Sequence, residues 1–161
     1  MKQAFDRAEV ERLVQTYSDL ILRVSYTYLG STQDAQDICQ TVFVKLLTGK
    51  QKFRSAAHEK AWMIRTTINA CKDLLHSAWH TRTCGLDACA EIPAPEAAEG
   101  SLLAAVNLLP GPYRTVIYLH YYEGYTAKEI ARMTGEPAAT IGTRLYRGRQ
   151  QLKTLLEGES L

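Results

Sequence analysis

Six side chains toward the end of the sequence could grip or read a nucleic acid: Lys128, Thr140, Thr143, Arg144, Arg147 and Arg149. Thr140, Thr143, Arg144 and Arg147 recur at offsets of three and four, so on a helix they form one stripe. From Ala138 to Lys153 the cations are Arg144, Arg147, Arg149 and Lys153, and there is no acid. Ile141, Leu145, Leu152 and Leu155 make a separate apolar stripe, roughly 100–120° away at about 100° per residue. A helix buried along one side and cationic along another suits the DNA major groove. Phosphates attract its charge, and Arg and Thr can hydrogen-bond base edges. The plainer reading is a solvated basic face on a helical hairpin.

The residues just before this helix supply its partner. Thr126 and Glu129 have the spacing of a capping box, in which hydroxyl and carboxylate each satisfy a free N–H of a first helical turn. Ile130 and Met133 form the apolar side of a short helix. Gly135 suits its left-handed stop, and Pro137 fits the first turn of the next helix. Two helices with a short turn between them make a helix-turn-helix.

A second stretch with nucleic-acid chemistry lies in the first half. Residues 49–58 read as a basic, polar loop holding one aromatic, Phe53, next to Arg54. A helix from about Glu59 to Ala78 follows. Arg65, Asn69 and Lys72 stand at i, i+4 and i+7 and share one face of it. Trp62, Ile64, Ile68, Cys71, Leu74 and Leu75 lie on its packing side. Two helices come before the loop. Residues 6–29 repeat Val10, Leu13, Val14, Tyr17, Leu20, Ile21, Val24 and Tyr28 at threes and fours, and Gly30 ends the run. Ser31, three positions before Asp34, starts the other. Its apolar side is Ala35, Ile38, Cys39, Val42, Phe43, Leu46 and Leu47, with Asp34, Asp37, Gln40, Thr41 and Lys45 off that side. Three antiparallel helices with short joints can share a core.

Residues 79–100 lose all periodicity among Gly, Pro, Ala and Glu, and read as a flexible linker. At 22 residues it is too long for an ordinary intradomain loop. Residues 101–161 then carry a short helix ending at Pro110-Gly111, and a helix from Tyr113 to Tyr122 with Val116, Ile117, Leu119 and Tyr121 inside. The helix-turn-helix closes the chain. No strand pattern is visible. The expected fold is all-α: two small helical domains, 1–78 and 101–161, joined by the linker.

The chain has 161 residues and a net charge of +2. Residues 1–77 hold 11 basic and 8 acidic side chains, and residues 101–161 hold 7 and 5. Between them, residues 78–100 carry Arg82 against four acids, so two mildly basic blocks flank an acidic connector. No apolar run has the length of a membrane span or the form of a signal peptide, which leads us to expect a cytoplasmic protein with no membrane insertion. The four histidines are scattered, without a Ser or Cys partner at motif spacing, and there is no phosphate-binding glycine loop. No catalytic residue, and hence no enzyme, is expected. His80, Cys84 and Cys89 are spaced too loosely, without a clear fourth ligand, to predict a metal. No cofactor is expected either.

Three stretches in this order resemble the extracytoplasmic-function group of the sigma-70 family of bacterial transcription initiation factors. Asp34 to Phe43 is similar to the polymerase-binding helix of the family's region 2. Phe53-Arg54, then Ala61 to Arg65 through Asn69 and Asp73, is similar to its strand-melting segment. Leu108-Leu109-Pro110 through Tyr113-Arg114, Glu123 to Ala131, and Thr140 to Arg149 are similar to region 4.

The resemblance implies core RNA polymerase, promoter DNA and an anti-sigma factor as partners. It places Asp34, Asp37, Gln40 and Phe43 against the polymerase clamp. It gives Phe53, Arg54, Arg65, Asn69 and Lys72 to the melted minus-ten strand, with a flipped base received in the loop. It gives Lys128, Thr140, Thr143, Arg144, Arg147 and Arg149 to the minus-thirty-five duplex. The pattern departs in four places. Gln36 and Thr41 stand where the family often has Glu, and Gly142 and Gly148 where it usually has Lys and Ala. The rival readings are a stand-alone helix-turn-helix regulator and an interaction module that does not bind DNA.

Overall fold

A computed structural model describes the backbone of residues 5–49, 51–81 and 101–159, and the side chains of all but the outermost residues around 82–100 and at the end. The expected linker falls largely outside the described residues, as do Cys84, Cys89 and the side chain of His80. The chain forms two compact units. Among the described residues every regular element is helical.

The first unit holds α1 (Arg7–Leu29), α2 (Thr32–Thr48) and α3 (Ala56–Thr81), each packed on the other two. The ends of these helices follow from local chemistry. Asp6 caps α1 through the Glu9 N–H, and Gly30 stops it at a left-handed φ of 66°. Ser31 caps α2 by accepting from the Asp34 N–H. The core is Leu13, Ile21 and Val24 of α1, Ile38, Val42 and Leu46 of α2, and Met63, Ile64, Ile68 and Cys71 of α3. Burial in this apolar setting pushes the Cys71 thiol up to about 12. Cys71 is therefore a small core residue, as its helical position implied. Cys39 is half-buried and its thiol is raised by desolvation too.

A polar tie joins α1 to the start of α3. The buried Glu59 carboxylate accepts from Tyr17 Oη at 2.8 Å and from Arg12 Nη2 at 2.9 Å. Hydrogen bonds to Glu9 and Glu59 hold the Arg12 guanidinium above its ordinary pKa. These contacts on a carboxylate that is hard to hydrate fix where α3 begins relative to α1.

The second unit holds α4 (Ser101–Asn107), α5 (Gly111–Ile117), a π-helical turn (Tyr118–Tyr122), α6 (Ala127–Thr134) and α7 (Ala138–Glu159). α7 packs on α4, α5 and α6. Val106, Leu109, Val116, Ile117, Leu119, Ile130, Met133, Ile141 and Leu145 form its core. The capping box is present in full: Thr126 Oγ1 accepts from the Glu129 N–H at 3.1 Å, and the Thr126 N–H reaches Glu129 Oε1 at 2.9 Å. Gly135 ends α6 at a φ of 78°. The Pro137 carbonyl accepts from the N–H groups of Thr140 and Ile141, so Pro137 stands just outside α7 as its cap.

Four expectations need correction. α3 starts at Ala56 rather than near Glu59, because Ser55 Oγ accepts from the His58 N–H and its carbonyl from the Glu59 N–H. α4 ends at Asn107, short of the helix end expected at Pro110-Gly111, and Leu108 beyond it is 68% exposed. Tyr121, expected in the α5 core, is 52% exposed; the wider π turn rotates it outward and buries Tyr118 instead. Leu47 and Leu75, expected on packing sides, are exposed.

Candidate nucleic-acid interface

α7 presents the stripe that its spacing implied. Ile141, Leu145 and Gly148 face inward, and Thr143 and Arg147 are exposed. Thr140, Thr143, Arg144, Arg147 and Gln151 line one open groove, closed on its other side by Pro110, Pro112 and Tyr113 at the start of α5. Gln151 is an addition to the sequence reading. It sits four residues after Arg147 and continues the same stripe.

Gly148 accounts for how closely α7 can lie on α5. A Cβ at this position would stand 2.9 Å from Ile117 Cγ1 and 3.5 Å from Tyr113 Cβ. Gly142 is different: a Cβ there meets nothing within 4 Å. It lies about 200° around the helix from Thr140, off the stripe of Thr140, Thr143, Arg144 and Arg147.

The six candidate residues of this unit are not equivalent. Thr140, Thr143, Arg144 and Arg147 come together. Lys128 is exposed in the first turn of α6, at the positive end of that helix. Arg149 stands apart. It lies about 180° around α7 from Thr140, and its Nη1 donates to Tyr121 Oη at 3.2 Å. Arg144 has a partner that no sequence pattern indicates. Its Nη1 donates to Oε1 of Glu136, in the turn between α6 and α7, and both side chains are 29% exposed.

In the first unit, residues 51–55 lead into α3. The Arg54 N–H donates to His58 Nδ1 at 3.0 Å, so that nitrogen of the imidazole is the unprotonated one. Phe53 is half-buried, edge-on to His58 and Trp62 at ring-centroid distances of 5.5 and 5.7 Å. The Arg54 side chain is exposed beside it, and Arg65 and Asn69 are exposed along α3, with Lys72 half-buried on the same face. Such a site offers an aromatic face, cations and an amide to a single strand.

On α2, Asp34 and Phe43 are half-buried, and Asp37 and Gln40 are exposed. Asp37 and Gln40 share their face with Val44 and Leu47, which are 58% and 43% exposed. Polar groups beside two uncovered aliphatic chains are what a protein partner would cover. The polar half of this face is legible in the sequence, whereas the spacing of Leu47 sets it on the apolar side of α2.

Among the described residues no group of three or more potential ligands could hold a metal, and no helix is long and apolar enough to cross a membrane.

The comparisons with known proteins cover both units. Residues 13–81 match the family model Sigma-70 region 2, and residues 99–152 match Sigma-70, region 4. The ECF RNA polymerase sigma factor SigW of Bacillus subtilis is 30% identical over 162 residues, covering 89% of this chain and 87% of that protein. The ECF RNA polymerase sigma factor SigE of Mycolicibacterium smegmatis is 29% identical over 93% of this chain, which spans 62% of that relative's length. Among solved structures, the sigma factor RpoE in complex with the anti-sigma factor NepR from Bartonella quintana has the same fold. It has a TM-score of 0.70 at 20% identity and covers 91% of this chain and 96% of that one. With the two family models falling on the two helical units in this order, the chain belongs to the sigma-70 family of RNA polymerase sigma factors, in the extracytoplasmic-function group.

Proposed function

We propose that this chain binds core RNA polymerase and directs it to promoters through two separate DNA contacts. The first domain, residues 1–78, meets polymerase with the α2 face of Asp37, Gln40, Val44 and Leu47, flanked by Asp34 and Phe43. It meets the melted minus-ten strand with Phe53, Arg54, Arg65, Asn69 and Lys72. The second domain, residues 101–161, lays α7 in the major groove of the minus-thirty-five duplex. Thr140, Thr143, Arg144 and Arg147 face the bases and the groove walls, and Lys128 faces a phosphate. Arg149, bonded to Tyr121 on the far side of α7, is left out of this set. The bound polymerase carries out the chemistry. An anti-sigma factor that covered the α2 face would hold the chain inactive.

The observation that carries this reading is the stripe of Thr140, Thr143, Arg144 and Arg147 on one open face of a helix anchored by Ile141, Leu145 and Gly148. The test is transcription by core polymerase from a library of promoter fragments. Initiation should require the chain. Arg147→Ala should lower minus-thirty-five-dependent initiation about tenfold, the effect of one lost base or phosphate contact. A chain that leaves core polymerase unbound would overturn the proposal.

A further inference from the structure

We propose that Glu136 is a positioning residue for promoter specificity: it orients the Arg144 guanidinium toward one base pair and withholds it from phosphates. The inference deepens the reading of α7 given above and rests on it.

The carboxylate is mounted on a stiff support. Gly135 precedes Glu136 at a φ of 78°, Pro137 follows it, and its own N–H donates to Thr134 Oγ1 at 3.3 Å. Arg144 sits on the second turn of α7, eight residues later, and its Nη1 binds Glu136 Oε1. Among the described residues neither side chain has a further hydrogen-bond partner. The contact therefore does little to join helices that Ile130, Met133, Ile141 and Leu145 already hold together.

An acid beside the groove is electrostatically adverse for binding DNA, because it repels phosphate and cancels one of the stripe's cations. What it supplies is geometry. A guanidinium carries five N–H groups in a rigid plane. With Nη1 fixed on a carboxylate, the remaining edge is presented in one orientation, suited to the paired acceptors of a guanine. A free Arg144 would instead reach several phosphates, whatever the sequence.

Specificity and affinity should therefore move in opposite directions in Glu136→Gln. This is tested with the full chain bound to core polymerase, measuring affinity for a duplex library varied across the minus-thirty-five element at several salt concentrations. For Glu136→Gln, affinity for unrelated sequence should rise and the salt slope should steepen by about one ion. Discrimination at one base pair should fall about tenfold, and Arg144→Ala should erase preference at that same pair. Glu136→Asp keeps the charge but is one methylene too short, so it should restore the weak binding of unrelated sequence without restoring the discrimination. Equal gains on all sequences with discrimination intact would overturn the proposal, because Glu136 would then be only an electrostatic brake. Discrimination lost at every position together would also overturn it, since that marks a misfolded turn. If Arg144→Ala leaves all base preferences unchanged while Glu136→Gln does too, the reading of α7 itself fails.

Discussion

The loop that carries Phe53 and the helix that carries Arg147 hold their contact groups in opposite ways. Arg147 and Thr143 stand exposed on α7, a helix fixed from beneath by buried aliphatic chains and a glycine. Phe53 is half-buried, its ring already engaged by His58 and Trp62, in a loop tied by Gln51 Nε2 to the Leu46 carbonyl and by the Arg54 N–H to the His58 imidazole. The difference matches the two forms of DNA proposed for the two regions. A duplex presents an unchanging surface, so its reader can be finished before binding. An unpaired base must be received, so in the proposed role Phe53 would exchange one set of aromatic neighbours for another.

The rigid half of this comparison breaks most severely at Gly148. A Cβ there would press on Ile117, which is 1% exposed and cannot swing away. Gly148→Val should cost about 3 kcal/mol, the upper end for overpacking a filled core. Thermal unfolding should show the loss, and minus-thirty-five selectivity should fall with it while the Phe53 loop is untouched. A variant as stable as the parent would mean that α7 is not pinned where the structure has it.

The adaptable half is tested at Phe53. Phe53→Ala should reduce opening of the minus-ten region about tenfold to a hundredfold, since stacking one base is worth about 1–3 kcal/mol. Binding of the closed minus-thirty-five duplex should be unchanged. Permanganate reactivity of unpaired thymines reads the first, and a duplex-binding assay the second. Phe53→Tyr keeps a ring and should retain opening. If Phe53→Leu opens promoters as well as Phe53 does, the ring is only a wedge against Trp62 and the comparison loses its soft member.

What could be read in the sequence follows the range of each interaction. Thr126 with Glu129, Ser31 with Asp34, and glycines 30 and 135 act within one turn, so spacing alone located those helix ends. The start of α3 is illegible for the same kind of reason. The residue three after Ser55 is His58, not an acid, so no capping box marked it. The exposure of Leu47 is hidden in the sequence because α2 has a wide apolar band, and only its packing on α1 and α3 shows that the band is covered on one side. Tyr121 followed the regular helical period until the π turn changed it. The pairing of Glu136 with Arg144 spans a turn whose path no periodicity describes. For the proposed reading surface, then, the stripe is legible in the sequence and the contact between Glu136 and Arg144 is not.

The two departures at glycine in α7 look alike in the sequence and differ in the structure, and the smaller effect belongs to Gly142. Its exposed, helical backbone has open space where a side chain would stand. Gly142→Ala should therefore stabilise the protein by about 1 kcal/mol, the helix-propensity difference between the two residues. Because position 142 lies well off the stripe of Thr140 and Arg147, the change should leave every minus-thirty-five base preference as it was. Gly142→Lys should give a similar stabilisation and a modest, sequence-independent gain in duplex affinity that disappears at high salt. Altered base preference in Gly142→Ala would show that α7 enters the groove with a different face, and would move the reading role from Arg147 toward the side of Tyr146 and Arg149.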